Sequence, residues 1–163
     1  MARRRKKKVA PVIHLSVGAL PDKLAARYSA GPLVFSDASL RRQGGLAAVL
    51  FADGNATPRI EMRSVPAMGS NQLELQALLF GLQQGGKHFP EQSFTLFSDN
   101  QDGVIRLNRA KQEGLAQDGE LAALLAGMAI EPVLGRVTIV WVKGHGRCLG
   151  NALADRHAAE AAS

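Results

Sequence analysis

Several residue types are scarce in this chain, and their scarcity excludes whole classes of protein. Among 163 residues there is one cysteine (Cys148), one tryptophan and one tyrosine. A lone cysteine cannot form an internal disulfide, which favours a reducing, cytoplasmic location. No apolar run approaches the roughly 18 to 20 residues that a membrane span needs. Internal repeats are also absent, so one compact domain with a core of its own is expected.

Basic charge is plentiful but concentrated near the N-terminus. The net charge is +6, and the run RRRKKK (residues 3–8) holds six of the 20 lysines and arginines, leaving 14 to balance 14 acidic residues. The sequence therefore predicts a basic, flexible extension over residues 1–31, with a short helix at PDKLAARYSA, and a near-neutral domain over residues 32–163. The start also resembles a secretion signal, but polar residues and a proline interrupt its apolar part.

The order of predicted elements indicates one mixed sheet covered by helices. Three strands come first, and strands then alternate with helices. The strands are predicted at GPLVFSDAS, GGLAAVLFADGN, RIEMRSV, SFTLFSDN and RVTIVWV, and the helices at SNQLELQALLFGLQQG, QDGVIRLNRAK, DGELAALLAGMA and NALADRHAAEAA. The first of these helices is predicted to stop at Gly85-Gly86.

Four acidic residues occupy positions from which they can converge. Asp37 and Asp99 each follow a hydrophobic strand after one serine, while Glu74 and Asp155 lie near the starts of two helices. In open α/β sheets, ligands bind at the carboxyl ends of the strands. Each acid taken singly has an ordinary interpretation as a turn, cap or solvated residue. The repeated strand-serine-aspartate pattern favours one shared site.

Such a cluster of acids requires cations. Two carboxylates about 4 Å apart repel by roughly 4 kcal/mol at an effective dielectric constant of 20. Oxygen ligands favour Mg²⁺ or Mn²⁺, and a pair of such ions can activate a water and stabilise a leaving oxygen. The sequence therefore predicts metal-dependent phosphodiester hydrolysis.

The string WVKGHGRCLGNALADRHA (residues 141–158), with VFSDAS, NQLELQAL and LFSDN, resembles the type 1 ribonuclease H family over residues 32–161. The resemblance implies an α/β fold with a five-stranded mixed sheet, whose first three strands are antiparallel, and flanking helices. It implies an endoribonuclease that cuts the RNA strand of RNA–DNA hybrids, leaving 3′-hydroxyl and 5′-phosphate ends. The implied cofactor is a pair of Mg²⁺ ions, with Mn²⁺ as the alternative, and residues 32–163 would be the catalytic domain.

The resemblance also implies roles for individual residues. The implied metal ligands are Asp37, Glu74, Asp99 and Asp155, and these carboxylates with His145 are the implied catalytic residues. Histidine suits proton transfer near neutral pH, although a plain surface histidine is the alternative. Implied substrate contacts are Asn71, Gln101 and Asn151, and Lys143 is a candidate phosphate contact or a solvated lysine. We expect a monomer that acts on the hybrid without an obligate protein partner or a membrane.

Some features depart from the family pattern. Ala38 stands where a glycine is usual, Arg41 and Arg42 enrich the following loop, and residues 100–136 lack the tryptophan-rich basic protrusion. The basic extension is the candidate replacement for that protrusion. Trp141 is interpreted as a packing residue and Cys148 as a small loop hydrophobe. Two alternatives remain: another nuclease or strand-transfer enzyme with this fold, and a hybrid-binding module without catalysis.

Overall fold

The computed structural model describes residues 13–163, so the basic run at residues 3–8 lies outside the described residues. Its core is one sheet of five strands, which we name β1–β5 in chain order. They are β1 (Leu33–Leu40), β2 (Gly44–Phe51), β3 (Arg59–Val65), β4 (Phe94–Ser98) and β5 (Val137–Trp141). The spatial order is β3-β2-β1-β4-β5; β1 to β3 pair antiparallel, and β4 and β5 continue in parallel with β1. The predicted mixed sheet is confirmed.

Helices cover both faces of this sheet. They are α1 (Asp22–Tyr28), α2 (Ser70–His88), α3 (Gln101–Glu113), α4 (Gly119–Met128) and α5 (Leu149–Ala162), with short 3₁₀ turns at Leu115–Gln117 and Glu131–Arg136. Side chains alternate between the faces along β1: Val34 packs under α2, whereas Leu33 and Phe35 pack on the side of α5. No helix within residues 13–163 is long and apolar enough to cross a membrane.

The predicted end of α2 at Gly85-Gly86 is wrong, because the helix continues to His88. A Cβ added to Gly85 would lie 2.4 Å from a ring carbon of Phe94, and one added to Gly86 would lie 2.7 Å from Val133. These glycines therefore allow close packing of α2 against β4 and against the 3₁₀ turn at Glu131–Arg136. Glycine is common both at the end of a helix and where a helix packs closely on a neighbour, so the sequence alone does not distinguish the two cases.

The segment before β1 packs on the domain. Ala19 and Leu20 are buried, and the predicted short helix is confirmed as α1. The backbone N–H of Ala19 donates to the carbonyl of Gly54 at 3.0 Å. The division at residue 31 remains a prediction, but residues 16–28 contact the domain.

Ala38 continues β1 without an unusual backbone angle, since the non-glycine residues with positive φ in the described chain are Glu91, Ala129 and His145. The alanine therefore places no strain on this strand.

An ion pair joins α3 to the start of α4, and its loss should be measurable. Asp118 accepts hydrogen bonds from Arg106 and, at 3.1 Å, from the N–H of Leu121, and the arginine lowers the pKa of Asp118 to about 2. Because this folded-state pKa is depressed, the stabilisation is present above the ordinary value of 3.8 and is lost as the pH falls towards 2. We expect Asp118→Asn to lower the free energy of unfolding by about 1 kcal/mol at pH 7.

Urea unfolding across this pH range checks the expectation, and Glu120→Gln is the matched control. Glu120 lies 3.7 Å from Arg106 with 64% of its side chain exposed, so its variant should stay within about 0.5 kcal/mol of wild type. A destabilisation by Asp118→Asn that was as large at pH 2 as at pH 7 would contradict the assignment to charge.

Candidate active site

The sheet register brings Asp37 and Asp99 to the same edge. The parallel pairing of β1 with β4 runs from Leu33↔Thr95 to Phe35↔Phe97, and each aspartate lies two residues beyond the last pair. Both strands run in the same direction, so the two carboxylates lie side by side at this edge. This is the convergence that the repeated strand-serine-aspartate pattern predicts.

Asp155 reaches the same edge from α5. Its carboxyl group is close enough to that of Asp37 to share a hydrogen bond. The pKa of Asp37 is raised to about 8, mainly by burial and also by the charges of Asp99 and Asp155. The Ala38 N–H, which donates to Asp37 at 2.9 Å, partly offsets this increase. Asp37, Asp99 and Asp155 therefore form one interacting cluster, which a cation would relieve.

Glu74 approaches the cluster from α2. Burial raises its pKa, and the charges of Asp99 and Asp102 raise it further. The charge of Asp99 thus raises the pKa of both Asp37 and Glu74, so Asp99 is the central acid of the cluster.

The sequence analysis missed two polar residues near the site, Asp102 and Asn100. They line a 210 Å³ groove beside Asn71 and Glu74. Their position at the start of the helix that directly follows Asp99 could have indicated that they lie near the site.

Asn151 faces Asp99 from inside the protein. Only 4% of Asn151 is exposed, and its Nδ2 donates to Oδ2 of Asp99 at 3.3 Å. Its Oδ1 is buried without a hydrogen-bond partner among the described residues. This geometry suits orienting the Asp99 carboxylate from the protein side.

Two further residues surround Asp99. A Cβ added to Gly144 would lie 3.0 Å from Oδ2 of Asp99, so the glycine leaves space for the carboxylate. The indole Nε1 of Trp141 donates to the carbonyl of Asp99 at 3.2 Å, while 44% of Trp141 is exposed. Trp141 is therefore a residue at the rim that holds the end of β4.

His145 stands at the mouth of the site. It is exposed, has a left-handed backbone with φ of 55°, and lines a 90 Å³ cavity with Asp99, Asn151 and Asp155. The remaining predicted contacts lie around this mouth. Asn71 is exposed in the groove beside Glu74, and Gln101 is exposed at the first position of α3. Lys143 is exposed in the loop of residues 142–147, which carries His145 and which we name the His145 loop.

The donor chemistry of the cluster fits hard divalent cations. Within residues 13–163, no group of three or more His, Cys, Asp and Glu side chains is arranged as a ready-made metal cage. However, the converging groups are all carboxylates, so every ligand atom they offer is an oxygen. Oxygen-only sets of this kind suit Mg²⁺ or Mn²⁺.

Comparison with solved structures shows the same fold. The chain superimposes on prototype foamy virus protease-reverse transcriptase with a TM-score of 0.63 and 17% identity, over 97% of this chain and 22% of that one, so it spans about a fifth of the viral protein. RNase H1 from the archaeon Halobacterium salinarum gives a TM-score of 0.57 at 19% identity, covering 80% and 96% of the two chains. LC11-RNase H1 from a compost metagenome gives 0.59 at 20% identity, covering 80% and 94%. At these identities the likeness concerns the fold alone.

Sequence comparison gives the family. None of the curated proteins matches the chain, but the family model described as RNase H matches residues 30–163. That match takes in all five strands and every candidate site residue. The chain therefore belongs to the RNase H family of ribonucleases.

Proposed function

We propose that this protein is an endoribonuclease that hydrolyses the RNA strand of RNA–DNA hybrids by a two-metal-ion mechanism, leaving 3′-hydroxyl and 5′-phosphate ends. The observation that carries the proposal is the position of Asp99, whose charge raises the pKa of both Asp37 and Glu74 at the edge of an RNase H-family sheet. Four carboxylates that repel one another without cations suit a site for divalent metal ions.

Asp37, Glu74, Asp99 and Asp155 would hold the cations, with Mg²⁺ as the first choice and Mn²⁺ as the alternative. Bound divalent ions supply an activated water and stabilise the leaving oxygen of the phosphodiester. Asn151 holds the carboxylate of Asp99 in one orientation through its Nδ2. His145, at the mouth of the site, would accept a proton from the attacking water at a ring nitrogen and return it to the leaving group.

The exposed polar residues around the site would bind the hybrid. Asn71 offers an amide group in the 210 Å³ groove, Gln101 offers another at the start of α3, and Lys143 offers a charge for a phosphate. Arg41 and Arg42 are exposed at the turn after β1, where they can contact further phosphates. Selectivity for the RNA strand would come from recognition of the 2′-hydroxyl. The monomeric state and the cytoplasmic location stay predictions.

Cleavage of three labelled duplexes tests the proposal: an RNA–DNA hybrid, duplex DNA and duplex RNA, each with Mg²⁺, with Mn²⁺ and with EDTA. We expect metal-dependent cutting of the RNA strand of the hybrid alone. Cutting of DNA would favour a different nuclease of this fold. Hybrid binding without cutting in either metal would favour a binding module.

A further inference from the structure

The last helix begins without a cap from its own residues. Helix α5 carries Asn151 and Asp155, and its N-cap residue, Cys148, makes no side-chain capping hydrogen bond. The first N–H groups of a helix have no partners within the helix, and a helix start buried without other acceptors is destabilised. The N–H of Leu149, the first residue of the helix, therefore needs an acceptor from elsewhere in the chain.

The segment before β1 supplies this acceptor and a second one. The hydroxyl Oγ of Ser16 accepts from the N–H of Leu149 at 3.1 Å, and the carbonyl of Ala19 accepts from the N–H of Gly150 at 3.0 Å. Ser16 Oγ also donates to the carbonyl of Gly18 at 2.8 Å, so its hydroxyl is used as both donor and acceptor. Alanine or valine at this position could do neither.

The same segment fixes one end of the His145 loop. The N–H of Ser16 donates to the carbonyl of Arg147 at 2.8 Å, while the other end is held by the N–H of Val142, which donates to the carbonyl of Ser98 at 2.9 Å. Between these anchors the loop borders a 430 Å³ cavity, whose opposite wall includes Ile13, Pro21 and Leu24. Residues 16–19 therefore set both the start of α5 and the end of the loop.

Buried contacts of Ala19 hold this segment against the domain. Ala19 is fully buried and packs in one cluster with Val142, Cys148 and Ala154, and the Sγ of Cys148 donates to the carbonyl of Ala19 at 3.4 Å. This segment precedes residues 30–163, which the family model matches. It therefore lies outside the matched part of the chain, in contact with the elements that carry Asn151, Asp155 and His145.

We propose that Ser16 is a positioning residue for the active site: its hydroxyl caps α5 next to the point where its backbone N–H holds Arg147, and this cap sets the position of the first turn of α5 and of the His145 loop relative to Asp99. The proposal rests on the proposed function, because its main readout is hybrid cleavage. A small displacement of catalytic groups lowers turnover strongly while leaving the binding surface intact. Ser16 should therefore act on kcat and leave KM unchanged.

The test compares Ser16→Ala, Ser16→Thr and Val17→Ala in the full-length protein, at a temperature where each is folded. Val17 is the matched control, since it lies on the same segment with its side chain fully exposed. Ser16→Ala should lower kcat for the hybrid by about tenfold with KM within about twofold, and speed hydrogen exchange of the Leu149 amide by about tenfold. Ser16→Thr, which keeps the hydroxyl, should restore both values, and Val17→Ala should match wild type.

Two results would overturn the positioning role: an unchanged exchange rate at Leu149 in Ser16→Ala, or faster exchange with an unchanged kcat. Failure of the proposed function gives a different result, because wild type itself would then leave the hybrid uncut. In that case the positioning role in hybrid cleavage is also excluded, and the exchange rate of the Leu149 amide reports only whether Ser16 caps the helix.

Discussion

Replacing Asp99 with asparagine is expected to lower kcat for hybrid cleavage on the order of 10³-fold or more, with the fold retained. Asparagine has nearly the same shape as aspartate but carries no charge, so it cannot provide a carboxylate for a divalent cation. Asp99 is the most informative of the acids, because its charge acts on Asp37 on one side and on Glu74 on the other. Removing that charge weakens every cation site to which the cluster contributes.

The variant should separate catalysis from binding. Hybrid affinity measured without divalent cations should stay within a few-fold of wild type, because the proposed phosphate and groove contacts are elsewhere. The control is Asp53→Asn, which removes an exposed aspartate whose Oδ1 accepts from the N–H of Asn55 at 2.8 Å in the turn after β2. Its kcat should equal that of wild type, and EDTA should abolish cleavage by both wild type and this control.

Single-turnover cleavage with increasing Mg²⁺ gives the measurement. An Asp99→Asn protein that cut the hybrid at the wild-type rate would remove Asp99 from the metal site and, with it, the main support for the proposed mechanism. Partial recovery at high Mg²⁺ would instead agree with a weakened cation site.

The largest expected loss of stability comes from Gly45→Ala on β2. A Cβ at this position would lie 2.1 Å from the carbonyl oxygen of Ala158 and 2.6 Å from the backbone nitrogen of Ala162. Because these are backbone atoms of α5, the contact cannot be relieved by a side-chain rotation, and the helix must move away from the sheet. We expect the free energy of unfolding to fall by about 3 kcal/mol, which the smaller entropy of the unfolded alanine chain offsets only in part.

Gly127→Ala on α4 is the matched control. A Cβ there meets nothing within 4 Å, and alanine has the higher helix propensity, so this variant should be stabilised by up to about 1 kcal/mol. Urea unfolding of both variants gives the comparison. Equal effects would mean that α5 does not pack on Gly45 as closely as the structure places it. A displaced α5 would also lower cleavage by Gly45→Ala, since this helix carries Asp155.

Much of the architecture could be predicted from the sequence because it depends on local patterns. Alternating and continuous apolar runs predicted all five strands, and capping residues with helical spacing predicted the helices around them. The predicted end of α2 was wrong for an equally local reason. Gly85 and Gly86 are typical of a turn, but in this fold they make room for Phe94 and Val133. Only the packing partner distinguishes the two uses.

The sequence by itself determined which carboxylates are available and at which ends of strands and helices they lie. The tertiary structure decided their surroundings: that Asn151 points at Asp99, that Asp102 acts on Glu74, and that Ser16 caps α5 from a segment more than a hundred residues away. The physical reason is that such distances depend on strand register and on how helices dock against the sheet. Those are set by packing across the whole domain, which no local pattern records.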